Sequence, residues 1–91
     1  MNKADLIDGI RNKSNLSRRQ ATLVVDTLFD TMMESLGNDN YVLISHFGTF
    51  FPKPRAPREG RDPRTKERIQ VPGSMTVAFR PSRSLRQEVD R

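Results

Sequence analysis

From Phe51 to Pro72 the chain reads FPKPRAPREGRDPRTKERIQVP, and the side chains there that can do chemistry are almost all cations. Between Pro52 and Pro72, Lys53, Arg55, Arg58, Arg61, Arg64, Lys66 and Arg68 stand against Glu59, Asp62 and Glu67, so the segment carries 7 − 3 = +4. Guanidinium and ammonium groups strung this closely suit a polyanion, which they bind by charge and by donated hydrogen bonds. No large apolar side chain lies between Pro54 and Arg68, so the segment cannot offset its ordering entropy by burying itself. In its middle, Asp62-Pro63-Arg64-Thr65 has the form of a type I turn, with Asp first and proline fixing φ second. The economical arrangement is a two-stranded basic ribbon, residues 52–72, projecting from a body made of residues 1–51 and 73–91, with Pro63 at the tip.

Other chemistries find no support. His46 is the single histidine, and no Cys, Asp or Glu stands near it at ligand or triad spacing, so it reads as a turn residue. The Gly48-Thr49 and Gly60-Arg61 segments lack the Lys-Ser/Thr pattern of a phosphate loop. Tyr41 and Phe51 fit the core or its rim better than a stacking platform for single strands. Neither catalytic residues, cofactor, metal nor small-molecule substrate is expected, and the chain reads as a binding protein rather than an enzyme.

The chain of 91 residues forms one domain on size, with hydrophobic residues making up 34% and no cysteine. With about twenty residues in the ribbon, the body is near the lower limit for independent stability, and neither disulfides nor a metal can supplement it. Oligomerisation is the remaining device. Charge is divided unevenly: residues 1–51 hold five Lys or Arg and six acids, net −1, while residues 52–91 hold eleven and five, net +6. Clustering of positive charge on a segment without a core favours a polyanionic partner over a merely solvated basic surface. No apolar run approaches a membrane span, and Met1-Asn2-Lys3 leads into a helix signal rather than a secretory leader.

The elements that must position the ribbon follow from periodicity. Asn2 caps a first helix, with Asp5 three residues on and Leu6, Ile7 and Ile10 as its apolar stripe, ending near Asn12. Ser17 and Gln20 form a capping box for a second helix, with Leu16 and Ala21 as a staple. Its stripe is Ala21, Val24, Val25, Leu28, Phe29, Met32, Met33 and Leu36, and Gly37 stands as a C′ stop. The first helix is too short to cover that stripe together with the strands that follow, whereas a second subunit would cover it. Tyr41–Ile44 is a strand, Ser45-His46-Phe47-Gly48 a tight reversal, and Thr49–Phe51 a strand that leaves the body at Pro52. Prolines at 52, 54, 57, 63 and 72 are tolerable on a two-stranded ribbon, where missing N–H groups face water. Ile69–Val71 begins the return, Pro72-Gly73 interrupts it, and Met75, Val77 and Phe79 alternate with polar or small residues in a half-buried strand. Pro81 suits the start of a last short helix, with Ser82 as cap and Leu85 and Val89 docking one face.

This order of elements, together with Met1-Asn2-Lys3-Ala4-Asp5-Leu6-Ile7, Phe47-Gly48-Thr49-Phe50, Arg55-Ala56-Pro57-Arg58, Gly60-Arg61-Asp62-Pro63 and Phe79-Arg80-Pro81, resembles the bacterial HU and integration host factor family over the whole chain. The resemblance implies an α+β fold: a helical base from two N-terminal helices, a three-stranded antiparallel sheet extended into a two-stranded β-ribbon arm, a short C-terminal helix, and an intertwined dimer with itself or a paralogous subunit. It implies arms that embrace double-stranded DNA through the minor groove, in the bacterial cytoplasm and nucleoid. Carried over by position, Pro63 matches the tip proline that intercalates. Arg55, Arg58 and Arg61 match arm contacts, Lys3 a base residue near the DNA, and Arg80, Arg83 and Arg86 basic positions of the saddle and last helix. Lys53, Arg64, Lys66 and Arg68 join the DNA-binding set by their place on the arm. Val25, Leu28, Phe29, Met32, Leu36, Leu43, Phe47, Phe50 and Phe79 form the expected dimer core. The chain departs from the family pattern with Asp62 for Asn before the tip proline, Lys66 for Gly after it, and His46 for Gly in the first strand reversal.

Elementary physics gives the same expectation a mechanism. Arm cations neutralise phosphates and release counterions, and about eight contacts per dimer give a log K against log salt slope of roughly −7. The minor groove is about 6 Å wide and two strands are about 4.8 Å apart before side chains are added, so insertion must open the groove. A pyrrolidine can then fill an unstacked step, as wedges that kink DNA by about 20–90° do. Minor-groove edges distinguish little beyond A·T from G·C, so low sequence specificity and bending with compaction are expected. The competing expectations are a site-specific bender in recombination or transcription and, from another class, an RNA-binding or acidic-partner module. Pro63 as a turn former without a DNA contact is the plain alternative to the wedge.

Overall fold

The computed structural model describes residues 1–91 as three helices and five strands: α1 (Lys3–Lys13), α2 (Arg18–Gly37), β1 (Val42–Ile44), β2 (Gly48–Arg55), β3 (Arg58–Arg61), β4 (Arg68–Val71), β5 (Ser74–Pro81) and α3 (Arg83–Val89). The expected Ser17–Gln20 capping box forms, and the Asn2 cap is also a full box with Asp5. Asn2 accepts from the Asp5 N–H while Asp5 accepts from the Asn2 N–H, and Ser17 and Gln20 exchange the same two bonds. Such reciprocal caps satisfy donors that the first helical turn leaves unpaired. Ser82 caps α3 by accepting from the Leu85 N–H at 3.0 Å, while Pro81 closes β5 instead of opening that helix.

The end of α2 differs from expectation. Gly37 is the last helical residue rather than the C′ stop, Asn38 is the C-cap, and the left-handed residue is Asp39 at φ 60°. Asp tolerates that region better than most side chains, so the reversal is made two residues after the glycine.

β1, β2 and β5 form an antiparallel sheet in the order β1-β2-β5, and β3 and β4 form a separate antiparallel ribbon. β2 remains paired with β5 through Pro52, Pro54 and Arg55, so it leaves the sheet four residues later than the prolines suggest. β1 reaches only to Phe50, so one edge of β2 is open at Pro52 and Pro54, where a missing N–H breaks no ladder. Both strands are interrupted at one level, by Ala56-Pro57 on one side and Pro72-Gly73 on the other, and pairing then resumes from Arg58↔Val71 to Arg61↔Arg68.

The core of one protomer is small. Ile7, Ala21 and Val25 are its buried apolar residues, with Leu6 and Ile10 packed against them where α1 crosses α2. Only 4 of 91 residues are buried, and the Cα radius of gyration is 18.7 Å. A compact domain of this length has a radius of about 12 Å. Leu28, Phe29, Met33, Phe47, Val77 and Phe79 all remain exposed. The α2 stripe is thus divided: Ala21 and Val25 face α1, and the Leu28, Phe29 and Met33 part is left open. This apolar surface is far more than a soluble monomer of 91 residues normally shows.

Candidate nucleic-acid interface

The arm cations are placed by strand register. Arg61 lies directly opposite Arg68, and Glu59 opposite Gln70, so these four side chains share one face of the β3–β4 ribbon. Arg58, Gly60, Ile69 and Val71 share the other, with Ile69 exposed. Like charges directly across an antiparallel pair oppose strand pairing. The only ion pair within the arm is Arg64 Nε to Asp62 Oδ1 at 3.8 Å, which leaves Lys53, Arg55, Arg58, Arg61, Lys66 and Arg68 free of carboxylate partners. A row of unneutralised cations on a projecting ribbon is a surface whose electrostatics improve when an anion lies along it.

Pro63 is exposed at the tip of this ribbon. The tip is one residue longer than the expected four-residue turn: the Lys66 N–H donates to the Asp62 carbonyl at 2.7 Å, and the Asp62 N–H donates to the Glu67 carbonyl at 2.9 Å. Closing it takes a left-handed residue, and Lys66 supplies it at φ 60°. Asp62 itself has a structural task, since its Oδ1 accepts from the Arg64 N–H at 2.8 Å, an Asx turn that presents Pro63 outward. An Asn carbonyl oxygen can make the same bond, so the charge of Asp62 is separable from its role in shaping the tip.

The cations of the body are distributed differently. Lys3, at the start of α1, is paired with Asp26 of α2 at 2.5 Å, so any anion it meets competes with that carboxylate. Arg83 and Arg86 are exposed on α3. Arg80 is exposed on β5, and its guanidinium carbon sits 5.5 Å from the centroid of the Phe51 ring. Residue types alone did not reveal that last contact, because it depends on the β2–β5 register: Phe51 is opposite Ala78, which places Arg80 at the diagonal position on the same face.

The two faces of the three-stranded sheet have different characters. Phe50 and Phe79 are paired across β2 and β5 with ring centroids 4.6 Å apart, and Phe47 packs on both at 6.4 and 5.5 Å. Gly48 lies between them; a Cβ there would stand 2.6 Å from the Arg80 carbonyl oxygen and from the Phe79 ring. Val25 is buried within the protomer, whereas Met32, Leu36 and Phe50 are half-buried and Leu28, Phe29, Phe47 and Phe79 exposed. Leu43, expected with them, pairs with Thr49 and therefore lies on the opposite face, together with Phe51, Lys53, Arg55 and Arg80. The reason is strand periodicity, which sends Leu43 away from its neighbours Val42 and Ile44. No group of metal-ligating side chains is present, and no helix is long and apolar enough to cross a membrane.

Comparison with known proteins agrees with this geometry. The sequence is 39% identical over 89 residues to DNA-binding protein HU 1 of Bacillus subtilis, covering 98% of this chain and 97% of that one. It is 37% identical over 91 residues to DNA-binding protein HU of Clostridium pasteurianum, covering both in full. The fold matches Anabaena HU, solved as a cocrystal with DNA, with a TM-score of 0.93 and 31% identity over 99% of this chain and 98% of that one. HU of Thermotoga maritima, at a TM-score of 0.68 and 24% identity over 99% of this chain, shares the fold. A family model described as bacterial DNA-binding protein matches residues 1–90, and with these full-length relatives at 37–39% identity the chain belongs to the bacterial DNA-binding protein family.

Proposed function

We propose that this protein is an architectural, non-enzymatic factor that binds double-stranded DNA as a dimer, clasps it with two β-arms in the minor groove, and bends and compacts it with low sequence specificity. The observation that carries the reading is the projecting ribbon with an exposed proline at its apex and six cations that no carboxylate neutralises. Residues 52–72 act as the arm, and residues 1–51 and 73–91 as the dimerising body. Lys53, Arg55, Arg58, Arg61, Arg64, Lys66 and Arg68 engage phosphates and the groove, Pro63 wedges between base pairs, and Arg80, Arg83, Arg86 and Lys3 contact DNA beside the body. The half-buried and exposed part of the α2 stripe, with Phe47, Phe50 and Phe79, meets a second subunit. Its place is the bacterial nucleoid. The Anabaena relative, cocrystallised with DNA, supports this reading through its 31% identity and nearly complete structural overlap.

Titration of linear, nicked and cruciform duplexes at several salt concentrations tests it, with fluorescence transfer between duplex ends reporting the bend. Binding that weakens steeply with salt and shortens the end-to-end distance is expected. Arg58→Ala should weaken binding evenly across sequences and flatten the slope by about one unit per site lost. Duplexes that stay straight at saturation, or a preference for RNA over duplex DNA, would refute it.

A further inference from the structure

Three body or tip cations are neutralised within the protomer: Lys3 by Asp26, Arg18 by Asp8 and Arg64, at longer range, by Asp62. Arg80 is fixed in another way. Its guanidinium lies over the Phe51 ring at 5.5 Å, and no acid shares its face of the sheet, which carries Leu43, Thr49, Phe51, Lys53, Arg55, Ser74, Thr76, Ala78 and Arg80 by register. A ring face holds a cation through its quadrupole and leaves the positive charge and the outward N–H donors available. Phe51 is half-buried, so the ring is anchored while the guanidinium above it is exposed.

The same face continues outward. Lys53 and Arg55 follow Phe51 at alternate positions of β2, a spacing of about 6.6–6.8 Å along a strand. The cations therefore form one line from the body to the base of the arm, and Arg80 begins it. Lys53 and Arg55 are exposed and have no ring or carboxylate to hold them. Arg80 is the member with a ring beneath its guanidinium.

We infer that Phe51 is a positioning residue for DNA binding: its ring pre-orders the Arg80 guanidinium on the open sheet face, so that a backbone phosphate crossing the body meets a fixed, fully charged donor. Pre-ordering lowers the entropy that a long side chain loses when it is immobilised on binding. The inference rests on the DNA-binding function proposed above, and the experiment separates the two.

Duplex affinity and its salt slope are measured for the full-length protein and for Phe51→Leu, Arg80→Ala and the double variant, with thermal unfolding recorded for each. Phe51→Leu is expected to weaken binding about fivefold with the salt slope unchanged, since the charge remains and only its ordering is lost. Arg80→Ala should weaken binding and flatten the slope, and Phe51→Leu should then add nothing. Phe51→Tyr should restore normal affinity, and Phe51→Trp, whose ring face attracts cations more strongly, should tighten binding only when Arg80 is present. If Phe51→Leu compromises folding, the Tyr and Trp variants crossed with Arg80→Ala carry the same comparison. Equal losses from Phe51→Leu with and without Arg80, or Trp and Leu variants that bind like the parent, would overturn the inference while leaving duplex binding and bending by the parent protein intact. A parent protein that fails to bend duplexes would instead overturn the proposed function.

Discussion

Pro63 stands at the apex of a turn that its neighbours hold in shape, so its chemistry and the local structure can be tested apart. Pro63→Ala removes the rigid apolar ring, with its fixed φ, while the groups that make the Asx bond of Asp62 and the Lys66 closure are retained. It is expected to reduce bending, read by fluorescence transfer, more than affinity; an unchanged bend would refute the wedge. Asp62→Asn keeps an oxygen for the Arg64 N–H and deletes a negative charge beside the tip proline, which the proposed function places against DNA. Duplex binding should tighten about threefold at low salt and less at high salt. A salt-independent change would mean that the carboxylate acts through tip shape rather than charge. At this scale, residue types announced the cations and the tip proline. They announced Asp62 as the first residue of the tip turn, but not that the turn runs one residue further and closes on a left-handed Lys66, because that depends on how β3 and β4 pair.

The first strand reversal shows what an element demands of its residues. Phe47 N–H donates to the Ile44 carbonyl at 3.0 Å, and His46 closes the turn at φ 65°, a region where a side chain costs about 1–2 kcal/mol. Gly48 is two residues on, in extended backbone, and is needed for space rather than for φ. The two positions therefore respond in opposite directions. His46→Gly should raise stability by about 0.5–1 kcal/mol, the relief of strain less the added freedom of the unfolded chain. Gly48→Ala should lower it by about 2–3 kcal/mol, because the contacts its Cβ would make include backbone oxygen, which cannot move aside cheaply. Denaturant unfolding of both variants measures each; a neutral Gly48→Ala would show that the Phe79 ring and its strand yield easily. Helix starts were legible in the sequence because capping is a local pattern of three or four residues. The helix end at Gly37 was not, since a glycine permits a left-handed stop without requiring one, and Asp39 took that conformation.

For the whole molecule, a protomer with three buried apolar residues and an extended arm does not carry enough core to stand alone. Leu28, Phe29, Phe47 and Phe79 are about 37–49% exposed, and covering them yields roughly 1 kcal/mol each per protomer. Assembly and folding are therefore expected to be one transition. The midpoint of thermal unfolding should rise with protein concentration. Leu28→Asp, which places a charge on the uncovered part of α2, should abolish both the dimer in sedimentation and most of the helical circular dichroism. A stable monomer whose melting point ignores concentration would refute this account. The wide stripe on α2 was legible as one apolar face, but how it is divided was decided by α1, which takes Ala21 and Val25 into the protomer core and leaves Leu28, Phe29 and Met33 uncovered.

The order of residues by itself determined the elements in outline, the Asn2 cap, the Ser17–Gln20 capping box, the basic arm and its proline tip, because periodicity, caps and charge clustering act over a few neighbouring residues. Only the tertiary structure decided which side chains share a face. Strand register set Arg61 against Arg68, sent Leu43 to the far side of the sheet from Phe50 and Phe79, and brought Arg80 over Phe51. The physical reason is that a shift of one residue between paired strands would exchange every side chain between the two faces, and register is settled by packing between segments far apart in the chain.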